Sequence, residues 1–149
     1  MISSRAAAAG ALYALTRVSA DLGDHWIQTH NQALTKAQDS AAGRRACAAH
    51  VATYVAAQAV TVGAGALLLG IRITPGRAIA ALAVSGITHY AADRRAPVRR
   101  LAETIGKKGF YDLGGPLGGS YLLDQSLHHA AEAVAVAILA TGTPRAFVV

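Results

Sequence analysis

The sequence has little of several residue types, and each shortage excludes a kind of protein. Cys47 is the one cysteine among 149 residues, so an internal disulfide and a cysteine-based zinc finger are both excluded. Charged residues make up only 15% of the chain, which is low for a soluble protein. Hydrophobic residues make up 53%, but with two Phe and one Trp the excess is alanine. Small residues let helix backbones approach closely, as they do in tight bundles and in membranes.

Acidic residues are also few, and the charge is one-sided. Eight acidic residues face 14 Lys and Arg, which gives a net charge of +6. The basic residues lie in runs, above all in residues 94–108. Such runs indicate an anionic neighbour: a lipid surface, a nucleic acid or a phosphorylated substrate. Nucleic acid is the least favoured, because aromatic residues are not interleaved with the basic ones and no helix-turn-helix pattern is present.

Hydrophobic periodicity predicts helices and no strand. The predicted helices are 3–36 (one helix, or two joined near Gly23), 46–70, 78–94 and 121–141, with a short amphipathic helix at 98–106. Gly142 and Pro144 are expected to end the last one. Short turns make neighbouring helices antiparallel. We therefore predict that residues 1–149 form one all-α domain, an antiparallel four-helix bundle with one short extra helix.

One segment is long and apolar enough to cross a membrane. Residues 51–71 are 21 residues without a charge, and a membrane span needs about 20. Thr53, Gln58 and Thr61 weaken this segment as a lipid-facing helix. We predict a protein of the cytoplasmic membrane whose basic loops 36–45 and 94–108 are cytoplasmic, with a transmembrane bundle as one arrangement. A cytoplasmic protein is the alternative.

Asp and His residues recur in pairs that are four residues apart. Residues at i and i+4 lie one turn apart on one helix face. The pairs are Asp21 with His25, His89 with Asp93, and Asp124 with His128. In an up-down-up-down bundle these pairs, together with Asp24, Gln28 and His50, fall at the same end. The sequence therefore predicts that these polar side chains meet in one pocket.

Asp and His donors suit borderline divalent cations such as zinc, manganese or iron. Water bound to such an ion is a nucleophile near neutral pH, and a spare Asp or His can move its proton. The predicted ligands are Asp24, His25, His50, His89, Asp93, Asp124 and His128, of which Asp24 and His25 are also predicted to be catalytic. The alternative is a buried hydrogen-bonded Asp–His network that ties the helix ends together.

Other polar residues are predicted to support the cluster. Amide and carboxylate partners that orient ligands are expected at Asp21, Gln28 and Gln125. An anionic substrate would be attracted by Arg94, Arg95, Arg99 and Arg100. Trp26 is expected to pack beside the cluster, and Glu132 to pair with a neighbouring helix or to face solvent.

Four blocks of sequence resemble a bacterial and phage family catalogued as domain of unknown function 3307. The blocks are GDHWIQTHNQALTK, His50 opening an apolar helix, ITHYAADRR and LDQSLHHA. Members of that family look like small multi-helix membrane proteins, and the nearest likeness is to actinobacterial proteins of mobile elements. The family's pattern matches Asp24, Gln28, His50, His89, Asp93, Asp124, Gln125 and His128. The resemblance implies a site but no particular reaction.

Three functional hypotheses remain open. The first is a metal-binding membrane protein that hydrolyses a phosphoester or lipid-like substrate through its Asp/His cluster. The second is a non-enzymatic membrane or interaction module whose cluster is structural. The third is a soluble, basic, nucleic-acid-associated protein of a mobile element. A homo-oligomer is compatible with each of them.

Overall fold

The computed structural model describes residues 4–115 and 117–141. Helices are the only regular secondary structure in these two ranges. The all-α prediction is therefore confirmed for these ranges, whereas the antiparallel bundle remains a prediction. The helices are α1 (Ser4–Asp21), a π-helical segment (Leu22–Ile27), α2 (His30–Thr35), α3 (Ala41–Leu68), α4 (Pro75–Asp93), α5 (Ala96–Thr104), α6 (Lys108–Tyr111) and α7 (Gly119–Ala140). The helix end predicted at Gly142 and Pro144 lies outside the described residues.

Capping residues explain why two helices begin earlier than predicted. The Ser40 hydroxyl accepts a hydrogen bond from the Gly43 backbone N–H at 3.0 Å, so α3 starts at Ala41 and not at residue 46. Pro75 occupies the first turn of α4, where a missing N–H and a fixed φ cost nothing. The short helix α5 lies close to its predicted position, and α6 forms where we expected only loop.

The first predicted helix is interrupted within its polar second part, residues 21–36, which we call the polar block. α1 passes into the π-helical segment, which ends at Gln28 with ψ 125°. A capping box then starts α2: Thr29 and Gln32 each accept a hydrogen bond from the other's backbone N–H. Gly23 lies against α3, where a Cβ would stand 2.7 Å from the Tyr54 ring. The interruption thus presses the polar block onto the first half of α3.

Apolar packing and polar packing occupy different halves of the long helices. The buried apolar cluster contains Leu12, Val62, Ala66, Ala81, Ala135, Val136, Leu139 and Ala140. These residues come from the second half of α3 and of α7, the first half of α4 and the middle of α1. Most of them are small, as the alanine-rich composition indicated. The opposite halves of α3, α4 and α7 are left for polar side chains.

A buried polar chain lies between the two halves. Arg17 on α1 contacts Glu132 on α7 at 2.6 Å, so Glu132 pairs with a neighbouring helix, one of its two expected outcomes. Tyr54 donates to Glu132 at 3.4 Å, and the Gln58 amide donates to the Tyr54 hydroxyl at 3.2 Å. Ser85 on α4 then donates to Gln58 at 2.6 Å. This chain joins all four long helices.

By length and composition, α3 is the one helix in the described ranges that could cross a membrane. Its most apolar 18-residue window has a mean hydropathy of 1.6, and only 22% of that window is buried. Val60, Leu67 and Leu68 on α3 are largely exposed. A core helix of a soluble protein can reach the same length and hydropathy, so the predicted membrane location stays a prediction.

The close approach of Gly119 to α6 gives a test of the fold. A Cβ on Gly119 would lie 1.6 Å from the Phe110 carbonyl oxygen, which is backbone and cannot swing aside. We expect Gly119→Ala to lower the free energy of unfolding by about 1–3 kcal/mol or more. Gly109→Ala is the control, because nothing lies within 4 Å of its added Cβ. Thermal unfolding followed by circular dichroism should separate the two variants; equal melting temperatures would contradict the packing of α7 on α6.

Candidate metal centre

Four elements bring the polar side chains together. Asp24 comes from the π-helical segment, His50 from the first half of α3, and His89 and Asp93 from the end of α4. His128 comes from α7. The spacing of four places His89 and Asp93 on the same face of α4, as the sequence indicated. His50, His89, Asp93 and His128 are buried, and Asp24 is half-buried.

Four atoms of these side chains lie around the gap between the His50 and His89 rings, which we call the common point. The Nε2 atom of His50 lies 3.0 Å from His89 Nε2, 3.2 Å from Asp24 Oδ1 and 3.4 Å from Asp93 Oδ2. The Nε2 atom of His89 lies 3.2 Å from Asp93 Oδ2 and 3.4 Å from Asp24 Oδ1. A tetrahedral ion with bonds of about 2.0–2.1 Å separates its ligand atoms by about 3.3–3.4 Å. These five separations are close to those edges. The ligand atoms that all lie within 4.8 Å of one another form two groups: Asp24, His50 and His89, and His89, Asp93 and His128.

Hydrogen bonds alone explain this arrangement poorly. A neutral imidazole carries one N–H, yet each Nε2 faces the other Nε2 and two carboxylate oxygens. Asp24 Oδ1 and Asp93 Oδ2 are buried without a hydrogen-bond partner. Ring packing holds the imidazoles in place: Tyr54 lies 3.9 Å from His89, and His128 lies 4.3 Å from it on another side, between ring centroids. A cation held in this cluster would engage oxygen atoms that hydrogen bonds leave unpaired.

His128 extends the cluster toward α7. Its Nδ1 atom lies 2.8 Å from the Asp124 carbonyl oxygen, and as the donor there it leaves Nε2 as the unprotonated nitrogen of the neutral ring. That Nε2 is buried without a partner. A ligand atom of His128 lies within 4.8 Å of ligand atoms of His89 and Asp93. The Asp124 carboxylate lies 3.6 Å from His128 Nδ1, beside the cluster and outside its centre.

Lys36 is a residue of the site that the sequence analysis missed. Its Nζ atom lies 2.8 Å from Asp93 Oδ1, so the two oxygens of Asp93 have different partners. Arg94 donates to the Lys36 carbonyl oxygen at 2.6 Å and to the Gln38 carbonyl oxygen at 2.8 Å. Arg94, predicted to bind an anion, therefore holds the backbone that carries Lys36. A lone lysine in a polar block gave no sequence signal for this role.

A cavity of about 240 Å³ opens beside the cluster. Asp24, Asp93 and His128 line it, whereas His50 and His89 lie behind them. Lys36 and Arg95 supply positive charge to its wall. The polar side chains that complete the lining are His25, Gln28, Tyr111, Ser120, Tyr121, Asp124 and Gln125. The cavity is thus a polar space with acidic and basic groups on facing elements.

Arg95 holds its position in the cavity wall with a left-handed backbone, at φ 57°. A residue other than glycine adopts this conformation at a cost of about 1–3 kcal/mol, and such residues often occur at functional sites. Arg95 is exposed, and no carboxylate within the described ranges pairs with it at ion-pair distance. Its charge is available to a ligand in the cavity.

Burial and neighbouring charges act on the carboxylates in opposite directions. Burial disfavours ionised Asp93, but the His89 ring and the Lys36 ammonium outweigh burial and lower its pKa. Burial likewise opposes ionisation of Asp24, yet His50 and His89 lower its pKa. Burial raises the pKa of Asp124 and lowers that of His89. The two carboxylates at the common point are therefore charged, and His89 is neutral, at neutral pH.

Several predicted residues lie away from the common point. His25 is exposed and lines the cavity, with Nδ1 3.2 Å from the Asp21 carbonyl oxygen. Asp21 is exposed and pairs with Arg17 at 2.5 Å. Trp26 is 83% exposed, so the expectation that it packs beside the cluster was wrong. The π-helical segment explains these positions, because its i→i+5 bonds shift which residues share a face with α1.

The two outer arginines also lie apart from the cluster. Arg99 and Arg100 are exposed on α5 and do not line the cavity. Arg99 pairs with Glu103 one turn along the same helix, at 3.0 Å. Of the four predicted anion-binding arginines, Arg95 is the one that reaches the cavity wall. Gln28 and Gln125, which were predicted to orient the ligands, both line the cavity.

The lowered pKa of Asp93 predicts how acid affects the metal-free protein. Because the folded pKa is below the unfolded value of about 3.9, ionised Asp93 stabilises the fold fully above about pH 4 and loses this effect as the pH falls further. With chelator present, Asp93→Asn should therefore destabilise the fold most near neutral pH and progressively less below about pH 4. Urea unfolding at several pH values measures this. Asp39→Asn, at an exposed carboxylate, is the control; a pH-independent loss for Asp93→Asn would contradict the pairing.

Comparisons with known proteins leave the function to the geometry of this site. No protein-family model, curated protein or solved structure matches the chain. The resemblance to the family of domain of unknown function 3307 therefore stays a prediction. The structure shows that buried Asp and His groups lie where they could hold a metal ion.

Proposed function

We propose that this chain is a metal-dependent hydrolase that acts on phosphoesters at the cytoplasmic membrane. The observation that carries the proposal is the convergence of Asp24, His50, His89 and Asp93, with separations of 3.0–3.4 Å between their facing atoms. The cavity on the carboxylate side of this cluster supplies room for a substrate. The four long helices are proposed to form the antiparallel bundle that the sequence predicts.

The donor set favours a borderline divalent cation. Two imidazole nitrogens with two carboxylate oxygens suit zinc, manganese or iron. The two negative charges would balance the two positive charges of the ion, which leaves the Lys36 ammonium as the remaining charge beside the centre. His128 Nε2 stands ready as a fifth ligand or as a base, since it is buried without a partner. Lys36 keeps the second oxygen of Asp93 engaged and thereby fixes the carboxylate.

The cavity residues supply the remaining parts of a hydrolysis. A bound divalent ion lowers the pKa of a coordinated water to about 7. With an ion in place, His128 would accept a proton from the attacking water as its oxygen adds to phosphorus. Asp124 in its protonated form, which burial favours, would give a proton to the leaving alkoxide as the P–O bond breaks, and proton exchange with solvent would restore both residues. Arg95 and Lys36 lie where they would attract the phosphoryl oxygens. Gln28 and Gln125 would orient the bound groups.

A structural metal site is the second candidate, because one observation favours it. The cluster offers four protein side chains, and structural zinc sites are closed by four protein ligands. In that case the ion would tie the π-helical segment, α3 and α4 together in a non-enzymatic membrane or interaction module. The cavity and the unpartnered His128 Nε2 favour the hydrolase.

Metal content and activity together test the proposal. Wild-type protein loaded with zinc, manganese or iron should hold about one ion per chain and hydrolyse a simple phosphoester. His89→Ala should lose the ion by elemental analysis, whereas Asp124→Asn should keep the ion and lose roughly 10²–10⁴-fold in turnover. His129→Ala, an exposed histidine beside His128, is the matched control and should change neither property.

Two results would contradict the proposal in different ways. A wild type that binds no ion and melts identically with chelator, while His89→Ala collapses, would establish a hydrogen-bonded network. A wild type that binds the ion but turns over no phosphoester would establish the structural metal site.

The membrane part of the proposal has separate support and a separate test. The exposed apolar surface of α3 needs a covering that the described residues do not provide, and the basic runs fit an anionic leaflet. We expect untagged protein in the membrane fraction, resistant to high salt and released by detergent. Recovery in the high-speed supernatant without detergent would remove the membrane proposal and leave the metal centre untouched.

A further inference from the structure

An apolar groove of about 370 Å³ adjoins the polar cavity. It lies between α4, α5 and α7, and its lining includes Leu101, Leu127, Ala131 and Val134. The groove and the polar cavity share Ala92 and Val98 as walls. The two spaces are therefore adjacent, with the Ala92 and Val98 side chains between them.

The groove is an apolar surface that the described part of the chain leaves open. Leu101 is 44% exposed and Val134 is 53% exposed. The short helix α5 is amphipathic: Val98 is buried on one face, while Arg99 and Arg100 are exposed on another. One wall thus offers an apolar lining beside a basic rim. The polar cavity at the far side of Ala92 and Val98 holds Asp24, Asp93 and Arg95.

We infer that the substrate is an amphiphile, a phosphate ester with one long hydrocarbon chain, whose chain lies in this groove while its phosphate enters the polar cavity. The inference rests on the proposed function, because it takes the phosphate to be the reacting group. The adjacency of the two spaces selects this occupant: the shared wall places apolar lining beside the cationic and metal-binding groups. A protein partner is disfavoured, since a stable interface needs about 800 Å² per partner and the groove is small. Its volume is in the usual range for a small-molecule site.

Binding of two probes that differ only in chain length tests the inference. Zinc-loaded protein is titrated by calorimetry with methyl phosphate and with dodecyl phosphate, the latter below its micelle concentration. Each buried methylene tightens binding roughly fourfold. If the groove covers two or more methylenes of the chain, we expect dodecyl phosphate to bind at least about tenfold more tightly than methyl phosphate. Binding is measured in the same buffer or detergent for both probes.

Variants on α7 connect the gain to the groove. Ala131→Phe should fill the groove and reduce the gain for dodecyl phosphate to about twofold or less, with methyl phosphate binding unchanged. Ala137→Phe is the matched control, because Ala137 is exposed on the same helix and lines neither space. Val134→Ser, at a half-exposed position, is a second variant that weakens the apolar lining without adding volume. It should lower the gain even if Ala131→Phe fails to fold.

The outcomes separate the inference from the proposed function. Methyl phosphate that binds while dodecyl phosphate gains nothing would overturn the amphiphilic substrate and keep the phosphate site. Failure of the metal-loaded wild type to bind either probe would overturn both. A gain that survives Ala131→Phe and Val134→Ser would also overturn the inference. If instead Ala131→Phe alone weakens flotation with anionic liposomes or changes the oligomeric state, the groove holds bilayer lipid or a second copy, and the inference is wrong.

Discussion

The structure depends most on the cost of burying two carboxylates beside the same two imidazole rings. Asp93 is buried and Asp24 half-buried, and an uncompensated charge in such a place is strongly destabilising. Lys36 supplies one positive charge, at 2.8 Å from Asp93 Oδ1. The inner oxygens, Asp24 Oδ1 and Asp93 Oδ2, are left to two imidazole nitrogens that cannot both donate to both of them. In the proposed metal centre, a divalent cation would supply the positive charge that these inner oxygens lack.

The rest of the chain is arranged so that this centre can form. Gly23 lets the π-helical segment lie on Tyr54, and the Tyr54 ring in turn packs against His89. The Tyr54 hydroxyl belongs to the buried polar chain that ends at Glu132 and Arg17. The centre therefore lies directly above a layer that joins the four long helices. Displacing one ring would disturb both the ligands and the packing between helices.

The ligand positions on regular helices were predictable from the sequence, and those on irregular backbone were not. The spacing of His89 and Asp93 and of Asp124 and His128 fixes a shared face wherever the helix is regular. The positions of His25 and Trp26 were predicted wrongly because the π-helical segment changes the number of residues per helical turn. Hydrophobic periodicity does not mark such a short segment. The roles of Lys36 and Arg94 were not predicted for another reason. They depend on a hydrogen bond between the Arg94 side chain and the Lys36 backbone carbonyl, which are 58 residues apart in the sequence.

Whether the centre is a closed or a reactive site depends on which of its side chains face the cavity. His50 and His89 lie behind the centre, and the carboxylates face the cavity. Asp24 has a side chain that is 17% exposed, compared with 0% for His50, and it comes from a π-helical turn and not from a long helix. It is thus the ligand with the least packing to restrain it. A carboxylate that shifts outward would open a coordination position toward Arg95 and His128, where a phosphate and a proton acceptor are needed. The irregular backbone that concealed Asp24's surroundings from sequence reasoning is therefore also the feature that, in the proposed hydrolase, would let the cluster open toward a substrate.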